Sequence, residues 1–320
     1  MNVTLELLGL AAVGLVAIAG GRQPVTAAMR YLLATLLGSG AYLLGVALIY
    51  GTYASVSLAV LAPLVSAGAP LAVTLAAALM LLGLMLKTAL FPFHFWLPPA
   101  HGGAPAPVSA LLSALVIKAT LYLVLRLWLE LFAPLTTVAA AQLLGILGAA
   151  AILWGSLLAL TQSRLKMLVA YSTVAQVGYL FLLFPLATLV PPGVADSAVQ
   201  GGVMQAVAHG LAKAAMFAAA GSMIVATGRD DISRLGGVGA AALAQRESIE
   251  LTDAHCDAIR FMRDFYQEHQ VIPDVRFVTR HLAASIGASR NLIFELFPYG
   301  YVKQACKIAG MRRPRGWSTG

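Results

Sequence analysis

Seven apolar runs, each near the length a bilayer demands, dominate the chain: residues 3–20, 31–50, 70–99, 107–129, 137–160, 167–187 and 200–226. About 20 apolar residues in an α-helix cross a hydrocarbon core, and the helix satisfies its own backbone hydrogen bonds on the way. Such a chain is restricted to an all-α, polytopic transmembrane helix bundle of about seven spans. Composition agrees, with 60% hydrophobic and 11% charged residues, where soluble domains carry about 25% charged. A wholly soluble protein is excluded.

The third run is too long for one span and holds Pro92 and Pro98 in FPFHFWLPP. Proline lacks an N–H and clashes with the preceding turn, so a regular helix cannot pass through. Two readings stay open: a broken helix lining a wet cavity, as in transporter sites, or a helix end followed by a proline-rich loop.

Basic residues sit in the gaps at Arg22–Arg30, Arg164–Lys166 and Arg229–Arg234, while the gaps around 51–69 and 188–199 have none. With seven spans the three basic gaps fall on one face. The positive-inside rule then predicts an N-terminus outside a bacterial inner membrane and residues 227–320 in the cytoplasm. The opening MNVTLELLGL has no basic n-region and runs directly into a span, so it is expected to be the first helix rather than a cleaved leader. The net charge is +8, with about half of the basic residues in the membrane part or its loops. The expected surroundings are therefore a lipid bilayer, with no nucleic acid.

From Gln245 onward charges come every few residues, so the chain is expected to divide into a transmembrane domain over 1–235, a linker over 236–246 and a small domain over 247–320. In that tail, Thr252 is placed to cap a helix carrying Ala258, Met262, Phe265 and Tyr266 at helical spacing. Pro273 introduces a second helix through Val275, Val278, Leu282 and Ile286. Short helices over Asn291–Phe297 and Val302–Ala309 complete the expected mainly helical cytoplasmic domain. Cys256 and Cys306 fit neither a zinc nor a CxxC pattern.

Ionisable residues inside the spans are the candidates for function. Lys118 and Lys213 each lie about ten residues from either end of their runs, roughly 15 Å deep at 1.5 Å per residue. A cation there costs on the order of 2.5–3.5 kcal/mol on insertion scales, so a partner, a wet cavity or deprotonation must compensate. His209 precedes Lys213 by four residues and shares its helical face, as a proton partner or as a hydrogen-bonded core histidine. Lys87 stands just before the proposed break, either in a site or snorkelling. Glu6, read alone, is an interfacial carboxylate. His94 and His101 are expected in a loop on a hydrated vestibule, and Arg126 and Glu130 as interfacial anchors.

The stretch KTALFPFHFWLPPAHGGAPAPVSALLSALVIKA resembles the antiporter-like subunits of respiratory complex I (NADH:quinone oxidoreductase), Mrp cation/proton antiporters and membrane-bound hydrogenases. The resemblance extends over residues 1–238 through LELLGLAAVGLVA, RLKMLVAYSTVAQVGYLFLLF and AVAHGLAKAAMFAAAG followed by DISRLGG. It implies that Glu6 is the family glutamate that pairs with a lysine on the broken helix, that Lys87 is that lysine, and that Lys118, His209 and Lys213 continue a hydrated polar axis at mid-membrane. It further implies proton relay along that axis and partnership with other membrane subunits. Two departures are visible: the family's helices before the glutamate are missing, and the chain leaves the family after Leu235, ahead of the later broken helix.

Residues 247–315, with ESIELTDAHCDAIRFMRDFYQEHQVIPDVR and NLIFELFPYGYVKQACKIAGMRRPRG, resemble the helical part of the DsrC/TusE family of cytoplasmic sulfur-relay proteins. The resemblance implies that Cys306 is the upstream cysteine of a sulfur-carrying arm, while Trp317 stands at the place of the near-terminal one. Cys256 falls where the family more often has an aromatic residue, which suggests a packed thiol. Lys303, Lys307, Arg312 and Arg313 would steer a sulfur-transfer partner, or simply form a solvated basic face.

The expected function is proton or cation translocation as a subunit of a larger complex, with no flavin, iron–sulfur cluster, haem or metal bound by this chain. The rival readings are a membrane-anchored sulfur relay acting through Cys306, and a gene-fusion product without function.

Overall fold

The structure, a computed structural model, describes residues 2–228, 230–232, 238–289 and 291–311. Arg229, Arg234, Arg312, Arg313 and Trp317, named above, lie outside the described residues. The chain divides into two units, Met1–Ser222 and Met223–Gly320. The described residues of both are helices and connecting turns.

The first unit contains α1 (Asn2–Ala17), α2 (Arg22–Tyr53), the short α3 (Leu58–Leu61), α4 (Leu71–Thr88), α5 (Leu97–Gly103), α6 (Ala106–Leu111) and α7 (Ile117–Arg126). It continues with α8 (Val138–Leu160), α9 (Leu165–Phe181), α10 (Leu183–Leu189) and α11 (Pro192–Thr227), whose last residues fall in the second unit. Six helical stretches among the described residues are long and apolar enough to cross a membrane. The first expected span is the exception. At 16 residues α1 is about 24 Å long, short of a roughly 30 Å hydrocarbon core. The chain is an integral membrane protein with an all-α bundle.

Two expected gaps turn out to be helical. Arg22–Arg30 forms the opening turns of α2, and most of 188–199 opens α11. Polar residues lengthen these helices beyond the apolar run because backbone bonding does not stop where hydropathy does.

The most extensive pairings, α2 with α4 and α8 with α9, depend on glycine. A Cβ on Gly83 would stand 2.3 Å from the Gly38 carbonyl oxygen, and one on Gly178 would stand 2.4 Å from that of Gly148. In lipid, apolar helices gain nothing from leaving the solvent, so close backbone approach and van der Waals contact must hold them together.

The third stretch is a broken helix. α4 ends at Ala89, whose φ is 59°; the Leu90 N–H bonds to the Met85 carbonyl, and the Trp96 indole N–H donates to that of Leu86 at 2.9 Å. This left-handed stop satisfies the carbonyls a helix end leaves open. A turn over Phe93–Trp96 leads into α5, and Trp96 is fully buried, stacked on Tyr31 at 4.3 Å.

In the second unit, α12 (Val238–Arg246) occupies most of the expected linker and buries Ala240 and Ala244 in that unit's core. α13 (Asp253–His269), α14 (Val275–Ile286), α15 (Leu292–Leu296) and α16 (Cys306–Ile308) follow. Thr252 caps α13 and donates its N–H to His255 Nδ1 at 3.1 Å, while the His255 Nε2 lies 2.8 Å from the Leu296 carbonyl. Ala258, Met262, Val278 and Leu282 form the core with Phe297 and Cys306. Tyr266 and Ile286, in the last turns of α13 and α14, face outward, contrary to the helical pattern.

Candidate functional site

Lys87 occupies the last turn of α4, directly before the break, and is buried at 6% exposure. Its Nζ lies 2.5 Å from Glu6 Oε1, which reaches across from α1. The second carboxylate oxygen accepts from Ser39 Oγ of α2 at 2.6 Å. The carboxylate thus holds a cation and a hydroxyl, compensating much of the cost of a buried charge. Beside the pair is a cavity of about 10 Å³ touching Lys87, Tyr31, Thr35 and Thr120, about the size of one water.

Hydroxyl groups continue from Lys87 towards the later lysines. Thr88 Oγ1 of α4 is 3.1 Å from Thr120 Oγ1 of α7. Two residues before Thr120, Lys118 donates to the Ser113 carbonyl at 2.6 Å. That carbonyl belongs to a widened π turn over Leu112–Val116, an irregularity common where helices carry function. The Ser113 hydroxyl is 3.4 Å from that of Thr173 on α9. Next to Thr173, Ser172 Oγ receives Lys213 at 2.5 Å, and the Val169 carbonyl one turn earlier on α9 receives it at 3.1 Å.

Lys118 and Lys213 therefore bond to neutral oxygens and, unlike Lys87, have no carboxylate partner among the described residues. Gly210 lets α11 approach the π turn, its Cβ position standing 3.2 Å from the Ala114 carbonyl oxygen and 3.9 Å from Lys118 Cε. His209, adjacent to Gly210, is buried with neither ring nitrogen hydrogen-bonded among the described atoms. It does not bond directly to Lys213, although the i,i+4 spacing allows it.

Two basic residues lie deeper than expected. His101 is in α5 rather than in a vestibule loop; it is fully buried and stacked on Phe217 at 4.5 Å. The prolines before it start a new helix instead of a loop, since proline is well tolerated in a first helical turn. Lys166, expected as a loop charge, is buried on α9 and donates to the Ala104 carbonyl. His94 stacks on Phe91. Arg126 and Glu130 form an exposed ion pair at 2.5 Å, apart from the buried row.

Sequence reasoning does not single out the linking hydroxyls of Ser39, Thr88, Ser113, Thr120, Ser172 and Thr173. Their closeness to lysines along the chain is a signal, but hydroxyls in apolar helices commonly bond back to their own helix, as Ser39 and Thr88 also do.

Cys306 is buried in the second unit's core, and Cys256 is exposed, the reverse of a reactive arm thiol beside an inert packed one. Burial pushes the Cys306 thiol up to about 11, partly offset by a side-chain hydrogen bond with Tyr301. The Tyr301 hydroxyl donates to the Pro273 carbonyl at 2.6 Å, tying this last segment to the start of α14.

A bundle with a broken helix and a row of one part-buried carboxylate and several lysines set between its helices defines a class of polytopic membrane protein with charges held inside its spans. The family model described as NADH:quinone oxidoreductase/Mrp antiporter, TM, matches residues 1–241, and the chain belongs to that family. A second model, DsrC like protein, matches residues 232–317.

Among curated relatives, NADH-quinone oxidoreductase subunit N of Desulforudis audaxviator is 37% identical, covering 74% of this chain and 46% of its own length. A Na(+)/H(+) antiporter subunit of Bacillus subtilis is 29% identical, covering 74% and 47%. The chain spans about half the length of these relatives. A protein chain in the structure of an archaeal membrane-bound sulfane sulfur reductase superposes with a TM-score of 0.66 at 25% identity, over 98% of this chain and 64% of that one.

Proposed function

We propose that residues 1–235 form a proton- or cation-translocating element of a complex I-like, Mrp-like or hydrogenase-like membrane assembly, in which Glu6, Lys87, Lys118, His209 and Lys213 are the relay. The observation that carries this reading is the contrast along one row: Lys87 is tied to Glu6 at 2.5 Å, whereas Lys118 and Lys213 rest on neutral oxygens. A lysine held by a carboxylate keeps its proton, and one without loses it more easily in a low-dielectric surrounding. Loosening Glu6 from Lys87 would therefore free a proton towards Thr88, Thr120 and Lys118, and each new charge would act on the next lysine.

The partners are other membrane subunits. The basic ends of α2 and α9 face the cytoplasm, with the N-terminus outside and the second unit inside. Arg164 lies within 3.5 Å of the Gly102 carbonyl, and the Cβ position of Gly103 is 3.1 Å from Pro24, so the start of α2, the end of α5 and the start of α9 meet at one end of the bundle. That convergence supports regular alternation of the helices across the membrane.

The second reading, a sulfur relay through Cys306 in a domain over 247–320 joined by the segment 236–246, is favoured by the DsrC like match. It requires the segment around Cys306 to leave the core first. One pair of substitutions separates the readings. In vesicles holding the whole assembly and a pH dye, Lys118→Ala should lower proton flux at least tenfold while Cys306→Ser leaves it unchanged. Unchanged flux in Lys118→Ala would sink the relay.

A further inference from the structure

A cavity of about 560 Å³ opens between α2, α4 and α7, and none of the lysines lines it. Its walls include Tyr42, Ile49, Leu61, Met80 and Leu127, and its single charged lining residue is Arg126. On α2 the lining runs from Tyr42 to Ile49, so the cleft extends roughly 10 Å along that helix at 1.5 Å per residue. Its volume falls within the range of about 300–1,000 Å³ of small-molecule sites.

The connection from α2 to α4, residues 54–70, forms part of the wall and carries no charged residue. Instead of extending into water it folds back through α3, with Leu61 and Val65 buried. The cleft is therefore bounded by apolar chain up to the point where Arg126 stands.

Arg126 does not stand alone. Its Nε bonds both Glu130 carboxylate oxygens at 2.9 Å and one terminal nitrogen bonds Oε2 at 2.5 Å, while the guanidinium lies 5.9 Å from the Tyr122 ring centroid. A guanidinium has five N–H donors; Glu130 engages Nε and one terminal nitrogen, Tyr122 makes a further side-chain hydrogen bond, and the remaining donors are left for a ligand. Glu130 is 48% exposed. The rim thus presents a positive and a negative group side by side with no net charge, above an apolar slot.

We propose that this cleft binds a zwitterionic phospholipid bearing a primary ammonium. One acyl chain occupies the slot as far as Met80, the phosphate takes the free N–H groups of Arg126, and the ammonium faces the Glu130 carboxylate. An anionic phospholipid lacking the ammonium would meet Arg126 already neutralised by Glu130, so the pair selects the headgroup by charge complementarity. The hydrophobic match alone does not discriminate, because every acyl chain offers about 0.8 kcal/mol per buried CH₂.

The full chain, purified in mild detergent, would be exposed to equal amounts of phosphatidylethanolamine and phosphatidylglycerol with identical acyl chains, and the retained lipid counted by native mass spectrometry. The wild type should keep one phosphatidylethanolamine in at least fivefold preference. Glu130→Gln, a change at an exposed residue, should remain folded by its thermal unfolding curve yet reverse the preference towards phosphatidylglycerol, because Arg126 is then unpaired. Met80→Trp should fill the slot and lower retention of both lipids at least fivefold. Equal retention of the two lipids by the wild type would overturn the proposal. So would a preference unchanged in Glu130→Gln, or occupation of the cleft by detergent or a protein segment.

Discussion

At the scale of single residues, the Glu6–Lys87 pair has two unequal members. Lys87 is 6% exposed and Glu6 25%, so removing the carboxylate strands a buried cation, whereas removing the cation leaves a carboxylate with some access to its surroundings. Breaking a buried pair from one side costs about 3–5 kcal/mol, and replacing both partners costs far less. Glu6→Gln should accordingly lower the thermal unfolding midpoint more than Lys87→Met, and the double variant should recover most of the loss. Equal midpoints for the two single variants would show that burial is not what distinguishes the partners.

A second residue-scale prediction concerns the thiols. Cys256 should alkylate readily at pH 8 and Cys306 only after denaturation, as mass spectrometry of trapped chains would reveal. The Cys306 thiol is raised to about 11 by burial from an ordinary 9.0. A raised acid contributes stability that is complete below its unfolded value and is lost as pH rises from about 9 through about 11. Cys306→Ala should remove that alkaline component of the second unit's unfolding. Glu6 and Lys87 are readable as partners only by family resemblance, because 81 residues separate them and no periodicity links two different helices.

At the scale of elements, glycine decides which helices touch. Gly38 against Gly83 and Gly148 against Gly178 allow backbones to meet where any side chain would intervene. Gly83→Ala places a methyl group against the Gly38 carbonyl, and overpacking of this kind costs typically about 1–3 kcal/mol. A lowered unfolding midpoint in detergent should report it, while Gly40→Ala, with open space around its Cβ, should behave as wild type. The break in the third span is legible as a proline signal, but the residue at which the helix stops is not. The chain turns at Ala89, three residues before Pro92, because Leu90 and Trp96 close the helix end by hydrogen bonds that composition does not encode. The same limit explains His101: prolines mark the end of one helix, and only the fold makes them the beginning of the next.

At the scale of the whole molecule, the sidedness proposed from the placement of the basic residues can be tested directly. A membrane-impermeant maleimide applied to intact spheroplasts should leave Cys256 unlabelled, and applied to inverted vesicles should label it, because the second unit is proposed to lie in the cytoplasm. Labelling from the outside would reverse the orientation. Arg164 marks one end of the bundle, as its place in a basic gap predicts, but Lys166, two residues on, joins the interior instead, since α9 starts at Leu165 and turns that side chain towards the Ala104 carbonyl.

By itself the sequence determined that the chain is a membrane helix bundle, where its long spans run, and which deep lysines demand compensation, because hydropathy over some twenty residues and the cost of a charge in lipid are local quantities. Only the tertiary structure decided what compensates them. The carboxylate for Lys87, the carbonyls and hydroxyls for Lys118 and Lys213, and the burial of His101 and Cys306 all arise from residues brought together across helices. Which helices meet is set by close packing at glycines and by helix ends, and these act only once the chain has folded.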